Sequence, residues 1–402
     1  MTESLAEPNR IIRIAARGDG VTADGRHFAR SAPGDLVRAD GSLEHGPHHA
    51  APPCAHFGRC GGCQLQHVDE DALRRFVTDR VVFAATGQDM AIGTLLPTHL
   101  SPPRSRRRAT LHALRTAGGA VLGFREAGSH RIVDLVDCHI LTPELARVLP
   151  ALRAFVSRHG GKGAVEVELT LADQGVDCGL RNIALEGLAA TEAALELAQG
   201  SRLARLTLDQ GFGPEAVWEP EPATITLSGR PVGMPPGSFL QATRDGEQRL
   251  VDDARAWIGD AASVADLFAG LGTFAFALAG PAKVLAAEAA RDAHLACKTA
   301  AGRAGLALAA MHRDLFRNPL QPGELDRFEA VLLDPPRAGA REQVDQIAAS
   351  KVTRVVYVSC NPASWARDAA RLAAAGFRLE ALRPVGQFRW STHVELASYF
   401  MR

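Results

Sequence analysis

From about residue 236 onward the chain alternates short β-rich runs with helical stretches, and that alternation limits its fold more than any other feature. The runs SVADLF, AKVLAAE, FEAVLLD and TRVVYVSC are separated by GTFAFALA, RDAHLACKTAAGRAG, AREQVDQIAA and SWARDAARLAAAG. Neighbouring parallel strands need a long crossover, usually a helix, so the pattern predicts an α/β region built on a parallel sheet. FRLEALRPV and HVELASYFM are expected to close that sheet at its C-terminal end.

The ends of these strands carry the chemistry. The first leads from Asp266 through Phe268 into a turn containing Gly270 and Gly272 and then a helix, an arrangement that cradles a nucleotide. The next strand ends at Glu288, 22 residues after Asp266, where a carboxylate can bind the paired hydroxyls of a ribose. Asp314, in MHRDLF, is expected to end a third strand within reach of an adenine amino group. A dinucleotide would call for G-x-G-x-x-G, but the glycines stop at Gly270 and Gly272, so the series suits S-adenosylmethionine. Asp334 precedes Pro335, Pro336 and Arg337, a rigid, donor-poor turn at the edge where α/β enzymes hold substrate. Cys360 leaves the following strand for a helix and is a candidate nucleophile, a packed thiol being the plain alternative. Glu395 lies in the last strand, where a strand-edge carboxylate is the plain alternative to a catalytic one.

Upstream the signals are different. The 45 basic and 45 acidic residues of the 402-residue chain cancel, which argues against a uniformly basic nucleic-acid binder. Yet residues 101–131 hold seven arginines (104, 106, 107, 108, 115, 125, 131) against the single acid Glu126. That segment is read as a phosphate-contacting surface, with a solvated basic edge strand as the alternative. Seven cysteines, an odd count, make a disulfide framework a poor fit. Cys54, Cys60 and Cys63 lie close together in CAHFGRCGGC, and Cys138 in IVDLVDCHIL is the natural fourth ligand after a strand-like run. A compact triplet plus one distant cysteine suits a [4Fe-4S] cluster; zinc and unligated thiols remain the alternatives. Cys178 and Cys297 sit in apolar runs and are expected in the core. Residues 10–40 look like a small antiparallel β unit, and the stretch with His45, His48 and His49 like a solvated linker. No run approaches the roughly 20 apolar residues of a membrane span, and MTESLAEPNR lacks the pattern of a secretory leader. The chain is therefore expected in the cytoplasm, away from membranes. The expected division is 1–50, 51–235 and 236–402.

These residues carry a family resemblance. In order from residue 54 to 400, CAHFGRCGGC with Cys138, GFREAGSHRIVDLVDC, FLQATRDGEQRLV, DLFAGLGTF, LLDPPRAG, YVSCNPASWARD and HVELASYF resemble the RNA uracil-C5 methyltransferases, which make 5-methyluridine in ribosomal and transfer RNA. The resemblance implies a C-terminal Rossmann-like class I S-adenosylmethionine methyltransferase domain. It also implies a central α+β domain with an iron–sulfur loop and a short N-terminal β-barrel-like RNA-binding unit. Cys360 matches the nucleophile and Glu395 the proton-abstracting base. Gln241, Phe268, Glu288 and Asp334 match positions that contact the methyl donor or the base, and Asp314 matches a further donor-contacting position. Thr243 and Thr273 depart from the family pattern, standing where relatives can have Asn. The cluster cysteines point to the 23S ribosomal-RNA branch, with a monomer acting on RNA. Alternatives are the same chemistry on transfer RNA, and an inactive iron–sulfur RNA-binding protein. Amino-methylating enzymes usually place an aromatic after D-P-P, where this chain has Arg337. RNA cytosine-C5 enzymes place a cysteine after their motif's proline, and none is present.

Overall fold

A computed structural model describes residues 8–402; the reading of the chain's start as leaderless falls mainly on residues 1–7, outside the described residues. Its largest element is a nine-stranded sheet. From one edge the strands run Leu308–His312, Lys283–Glu288, Ser263–Leu267, Ala330–Leu333, Arg354–Ser359, Glu395–Met401, Arg378–Gly386 and Ile92–Leu95, and His99–Leu100 also pairs with Arg378–Gly386. The first five are parallel, whereas Glu395–Met401 runs antiparallel to both neighbours. Ala330–Leu333 is buried at every position and Val355–Val358 likewise, as expected of strands covered on both faces by crossover helices. Each fully buried Val or Leu contributes about 1.5–3 kcal/mol, so these central strands anchor the domain. The winding direction reverses between Ser263–Leu267 and Ala330–Leu333, which opens a crevice at their carboxyl ends.

The sequence expectations place these strands and their helices within a few residues, with one shift. The strand Leu308–His312 stops before Asp314, which lies in the turn beyond it. Cys178 and Cys297 are buried in the core as expected.

A second, six-stranded sheet orders Pro214–Trp218, Leu203–Asp209, Gly175–Arg181, Val165–Ala172, Arg108–Thr116 and Gly119–Gly123. Helices Pro143–His159 and Leu188–Gly200 cover its apolar face, onto which Val165, Val167 and Leu169 turn while Glu166, Glu168 and Thr170 face away. The large sheet draws strands from both sides of residue 236: Ile92–Leu95 and His99–Leu100 join it, and helix Glu70–Thr86 packs on Arg378–Gly386 and on helix Pro362–Ala374. Burial of that helix's apolar residues, among them Leu73, Phe76, Val77 and Val81, supplies the reason.

At the N-terminal end, Ile11–Ile14, Gly20–Thr22 and His27–Phe28 form a three-stranded antiparallel sheet, and Leu36–Val37 pairs with Leu43–Glu44. The following histidines differ from the solvated linker expected. His49 Nδ1 lies 2.8 Å from Asp35, and His48 Nδ1 lies 2.8 Å from Asp69, the N-cap of helix Glu70–Thr86. Two carboxylates thus pin the segment between the small β unit and that helix. The run before Cys138 also differs: it is irregular chain, with Val133 and Leu135 donating backbone N–H bonds to Phe124 and Leu122. Among the described residues no helix is long and apolar enough to cross a membrane.

The arginine-rich segment divides by role. Arg115, Arg125 and Arg131 are exposed. Arg107 is 2% exposed, donates to the Gln241 carbonyl at 3.0 Å and pairs with Glu247 at 2.5 Å. It is a structural clamp between the start of strand Arg108–Thr116 and helix Arg244–Ile258. Arg107→Ala leaves Glu247 uncompensated and is expected to lower stability by about 3–5 kcal/mol in urea unfolding. Arg115→Ala is expected to change it by less than about 0.5 kcal/mol.

Candidate active site

Strand register sets the site. Ser359 pairs with Leu396 across the antiparallel contact, so the next positions, Cys360 and Glu395, face each other at the sheet's edge. Cys360 is the hinge between that strand and helix Pro362–Ala374, whose N-cap Asn361 accepts from the Ala363 N–H at 3.1 Å and carries Pro at its first position. Cys360 and Glu395 line one cleft of ≈ 650 Å³ together with Gln387, Arg337 and His393. Arg106, Arg108, Phe124 and Arg125 form another wall of the same cleft.

The electrostatics match the burial. Glu395 is 3% exposed, and burial raises its carboxyl to about 7 against the pull of a hydrogen bond from Gln387. Burial, then the charges of Glu395 and Asp334, push the Cys360 thiol up to about 11, while Arg337 draws it down. Asp334 is raised well above the ordinary carboxylate value by burial, then by Glu395 and Asp266; its hydrogen bond from Gln241 opposes this. Cys360 and Glu395 share one cleft with separated pKa values, as acid–base chemistry requires.

The nucleotide side lies along the same carboxyl edge. Phe268 follows its strand with φ +64°, a rare conformation for an aromatic residue. Its ring meets Phe316 at 5.3 Å, which brings the turn holding Asp314 against the glycine turn. Gly272 has φ +94°, and a Cβ there would meet Cys297 Sγ and Phe276 at 2.9 Å. Glu288 accepts from the Gly270 N–H at 2.8 Å and the Ala290 N–H at 2.6 Å, so it shapes the turn it borders. Asp314 accepts from the Phe316 N–H at 3.0 Å. Asp266 does not reach the surface: it is fully buried, and burial, opposed by a backbone hydrogen bond from Ala275 and helped by the Glu288 charge, raises it to about 8. Gln241 joins the two halves, donating to Asp334 at 3.0 Å. Phe268, Gly270, Gly272, Glu288 and Asp314 are not part of the cleft lined by Cys360; the Phe268–Phe316 contact and the Glu288–Gly270 hydrogen bond gather them at the neighbouring strand ends. Thr243 caps helix Arg244–Ile258, accepting from the Gly246 N–H at 3.1 Å, and is buried.

Cys54, Cys60, Cys63 and Cys138 line one small cavity with Phe57, Phe124, Leu135 and Ile140. The loop is docked on the segment before Glu395: Gln64 and Leu65 donate backbone N–H bonds to the Trp390 carbonyl at 2.7 and 2.9 Å. Gly61 donates to the Arg125 carbonyl. Four thiols converging in an apolar cavity fit a thiolate-held group. Among the described residues no group of three or more His, Cys, Asp or Glu side chains is arranged to hold a single metal ion.

Sequence reasoning missed Gln387, His393 and the clamp Arg107. Gln387 lies in VGQFRWSTH, a stretch without helical or strand periodicity, so nothing marked a buried amide there.

The family model described as tRNA (Uracil-5-)-methyltransferase matches residues 234–402. An uncharacterized RNA methyltransferase of Zymomonas mobilis is 48% identical over 98% of this chain and 99% of its own length. The 23S rRNA (uracil(1939)-C(5))-methyltransferase RlmD of Chromohalobacter salexigens is 32% identical over 98% of this chain and 89% of its own. The crystal structure of Pyrococcus abyssi tRNA (uracil-54, C5)-methyltransferase with S-adenosyl-L-homocysteine shares the fold, with TM-score 0.74, 20% identity and coverage of 98% and 99%.

Gly272→Ala should weaken binding of S-adenosylhomocysteine by about tenfold or more in calorimetry, since the turn must shift to admit the methyl group. Unchanged affinity would show that the glycine turn is not the nucleoside site.

Proposed function

The chain belongs to the RNA uracil-5 methyltransferase family, and from that membership we propose that it methylates carbon 5 of one uridine in 23S ribosomal RNA through a covalent adduct on Cys360. It is an S-adenosylmethionine-dependent RNA methyltransferase. The observation that carries the mechanism is the register that sets the Cys360 thiol against the Glu395 carboxylate in one cleft.

Carbon 5 of uracil is too weak a nucleophile to take a methyl group unaided. Addition of the Cys360 thiolate to carbon 6 moves the ring's electron pair towards oxygen 4 and makes carbon 5 nucleophilic. The donor supplies an electrophilic methyl group. Carbon 5 takes that group, and Glu395 then removes the carbon-5 proton. The electrons of that bond restore the ring double bond as the carbon–sulfur bond breaks and Cys360 leaves as thiolate. Gln241 and Asp334 hold the junction between ring and donor, and Phe268, Gly270, Gly272, Glu288 and Asp314 form the donor crevice. The ring must be approached at its face, so the uridine leaves its stack to enter the cleft.

The 23S assignment rests on the 32% identity to the Chromohalobacter enzyme, whose name specifies that RNA. Transfer RNA is the second reading, favoured by the description of the matching family model. The cleft wall with Arg106, Arg108 and Arg125 serves the RNA backbone locally, within a chain of zero net charge. The three-part division gives the unit within 1–50, barrel-like in form, and the region 51–235 to RNA, and 236–402 to methyl transfer, with helix Glu70–Thr86 and strands Ile92–Leu95 and His99–Leu100 of the middle part built onto the large sheet. The protein acts as a cytoplasmic monomer. Cys54, Cys60, Cys63 and Cys138 hold a [4Fe-4S] cluster that braces the loop docked at Trp390; no step of the methylation passes through it.

Cys360→Ala protein given tritiated donor and 23S RNA should transfer no label; retained transfer overturns the adduct mechanism. Because Glu395 acts ionised and its carboxyl is raised to about 7, turnover should fall as pH drops through 7, by about tenfold per unit below it. A rate constant from pH 8 to pH 5.5 contradicts a Glu395 base. Anaerobically purified protein should contain iron, and Cys60→Ser should lose it together with soluble yield or RNA affinity. Full iron content in Cys60→Ser removes that residue from the ligand set.

A further inference from the structure

Gln387 is a buried amide that the mechanism above does not use. It follows the strand Arg378–Gly386 in the turn that leads to Glu395 and is 2% exposed. Its Oε1 accepts from the Ala242 N–H at 3.0 Å. A backbone N–H can only donate, so this bond fixes which end of the amide is oxygen. The Nε2 end therefore faces two acceptors: it donates to Gln241 Oε1 at 2.8 Å and to Glu395 Oε2. Gln241 is oriented in turn, because its oxygen is taken by Gln387 and its Nε2 donates to Asp334 Oδ2 at 3.0 Å. The result is a chain of hydrogen bonds donated outward from the Gln387 amide, directly to Glu395 on one side and through Gln241 to Asp334 on the other, with an accepting carboxylate at each end. Packing holds it in place: a Cβ at Gly246 would come within 3.0 Å of Gln387 Cβ.

We infer that Gln387 is a positioning residue that fixes the Glu395 carboxylate for proton removal and, through Gln241, couples it to Asp334 at the donor crevice. This rests on the reading of Glu395 as the base. With both hydrogens of its Nε2 committed, Gln387 leaves Glu395 one oxygen, Oε1, free of that amide to receive the carbon-5 proton. Without Gln387, the carboxylate is free to rotate and loses a charge-assisted hydrogen bond that favours its ionised form. The step affected is the last one: the carbon-5 proton passes to Glu395, its bonding electrons restore the ring double bond, and the carbon–sulfur bond to Cys360 breaks. Thiol addition and methyl transfer come before it and do not require the amide.

The test compares wild-type protein, Gln387→Met, Gln387→Glu and Glu395→Gln with labelled donor and target RNA. Gln387→Met removes the polar end at similar volume. Gln387→Glu keeps the shape and the oxygen facing Ala242 but sets an acceptor against Glu395, so it carries the test if the methionine protein folds poorly. Both are expected to lower turnover by about tenfold or more, the effect of losing a hydrogen bond to a charged group. Both should also accumulate methyl-labelled RNA–protein adduct on denaturing gels. In Gln387→Met the acidic limb of the rate profile should move up by about one pH unit. A purely structural role would lower adduct and product together and leave the limb in place, and that outcome overturns the inference. So does wild-type turnover in either variant. Glu395→Gln separates the two readings: if it traps adduct and the folded Gln387 variants do not, the inference fails while the base stands. If Glu395→Gln turns over normally, the base reading itself fails.

Discussion

The antiparallel insertion of Glu395–Met401 between two neighbours is the constraint on which the site depends. Five parallel strands deliver their carboxyl ends to one edge. Arg378–Gly386, beyond the reversed strand, runs parallel to them and delivers its end there too; a parallel strand in place of Glu395–Met401 would have brought Met401 rather than Glu395. Because Glu395–Met401 is reversed, the edge receives the start of the strand instead, and the pairing of Ser359 with Leu396 brings Glu395 opposite Cys360. A slip of one residue would turn Glu395 to the other face of the sheet. The buried partners Val356, Val358 and Ala397 hold that register through their packing.

Desolvation then gives the edge its chemistry. Glu395, Asp334 and Asp266 are all pushed upward chiefly by burial, each in a different setting. Asp266 is drawn down by the Ala275 backbone N–H, Asp334 receives one bond from Gln241, and Glu395 receives one from Gln387. The amides do not neutralise the carboxylates; they aim them. Arg107 supports the same junction from the other sheet by gripping the Gln241 carbonyl and Glu247. The arginine-rich segment therefore serves two ends, with buried Arg107 bracing the site and Arg106, Arg108 and Arg125 lining the cleft.

Much of the fold was legible along the chain. Residues 263–288 could be read as strand, glycine turn, helix and strand because each piece is local and its period visible. Cys360 and Asp334 were legible as candidates for the same reason, since topology alone places a residue that follows a parallel strand at the sheet's carboxyl edge. Helix Glu70–Thr86 and strand Ile92–Leu95 were not assigned to the large sheet, because membership depends on which distant surface buries them. The histidines at 45–49 looked like linker, since their partners Asp35 and Asp69 are chosen by the path of the chain. Arg107 was indistinguishable from its neighbours Arg106 and Arg108 until Glu247 was set beside it.

By itself the sequence determined the α/β class, the order of strand ends, the glycine turn and the residue types that chemistry at carbon 5 needs. Those are properties of short segments, written in periodicity and in the backbone limits of Gly and Pro. Only the tertiary structure decided which residues meet: Glu395 with Cys360 through strand register, the cysteine loop with Trp390, and Gln387 with three groups from two other segments. Hydrogen bonds of that kind are directional and long-range in sequence. Their partners exist only once burial has removed water as the competing donor and acceptor.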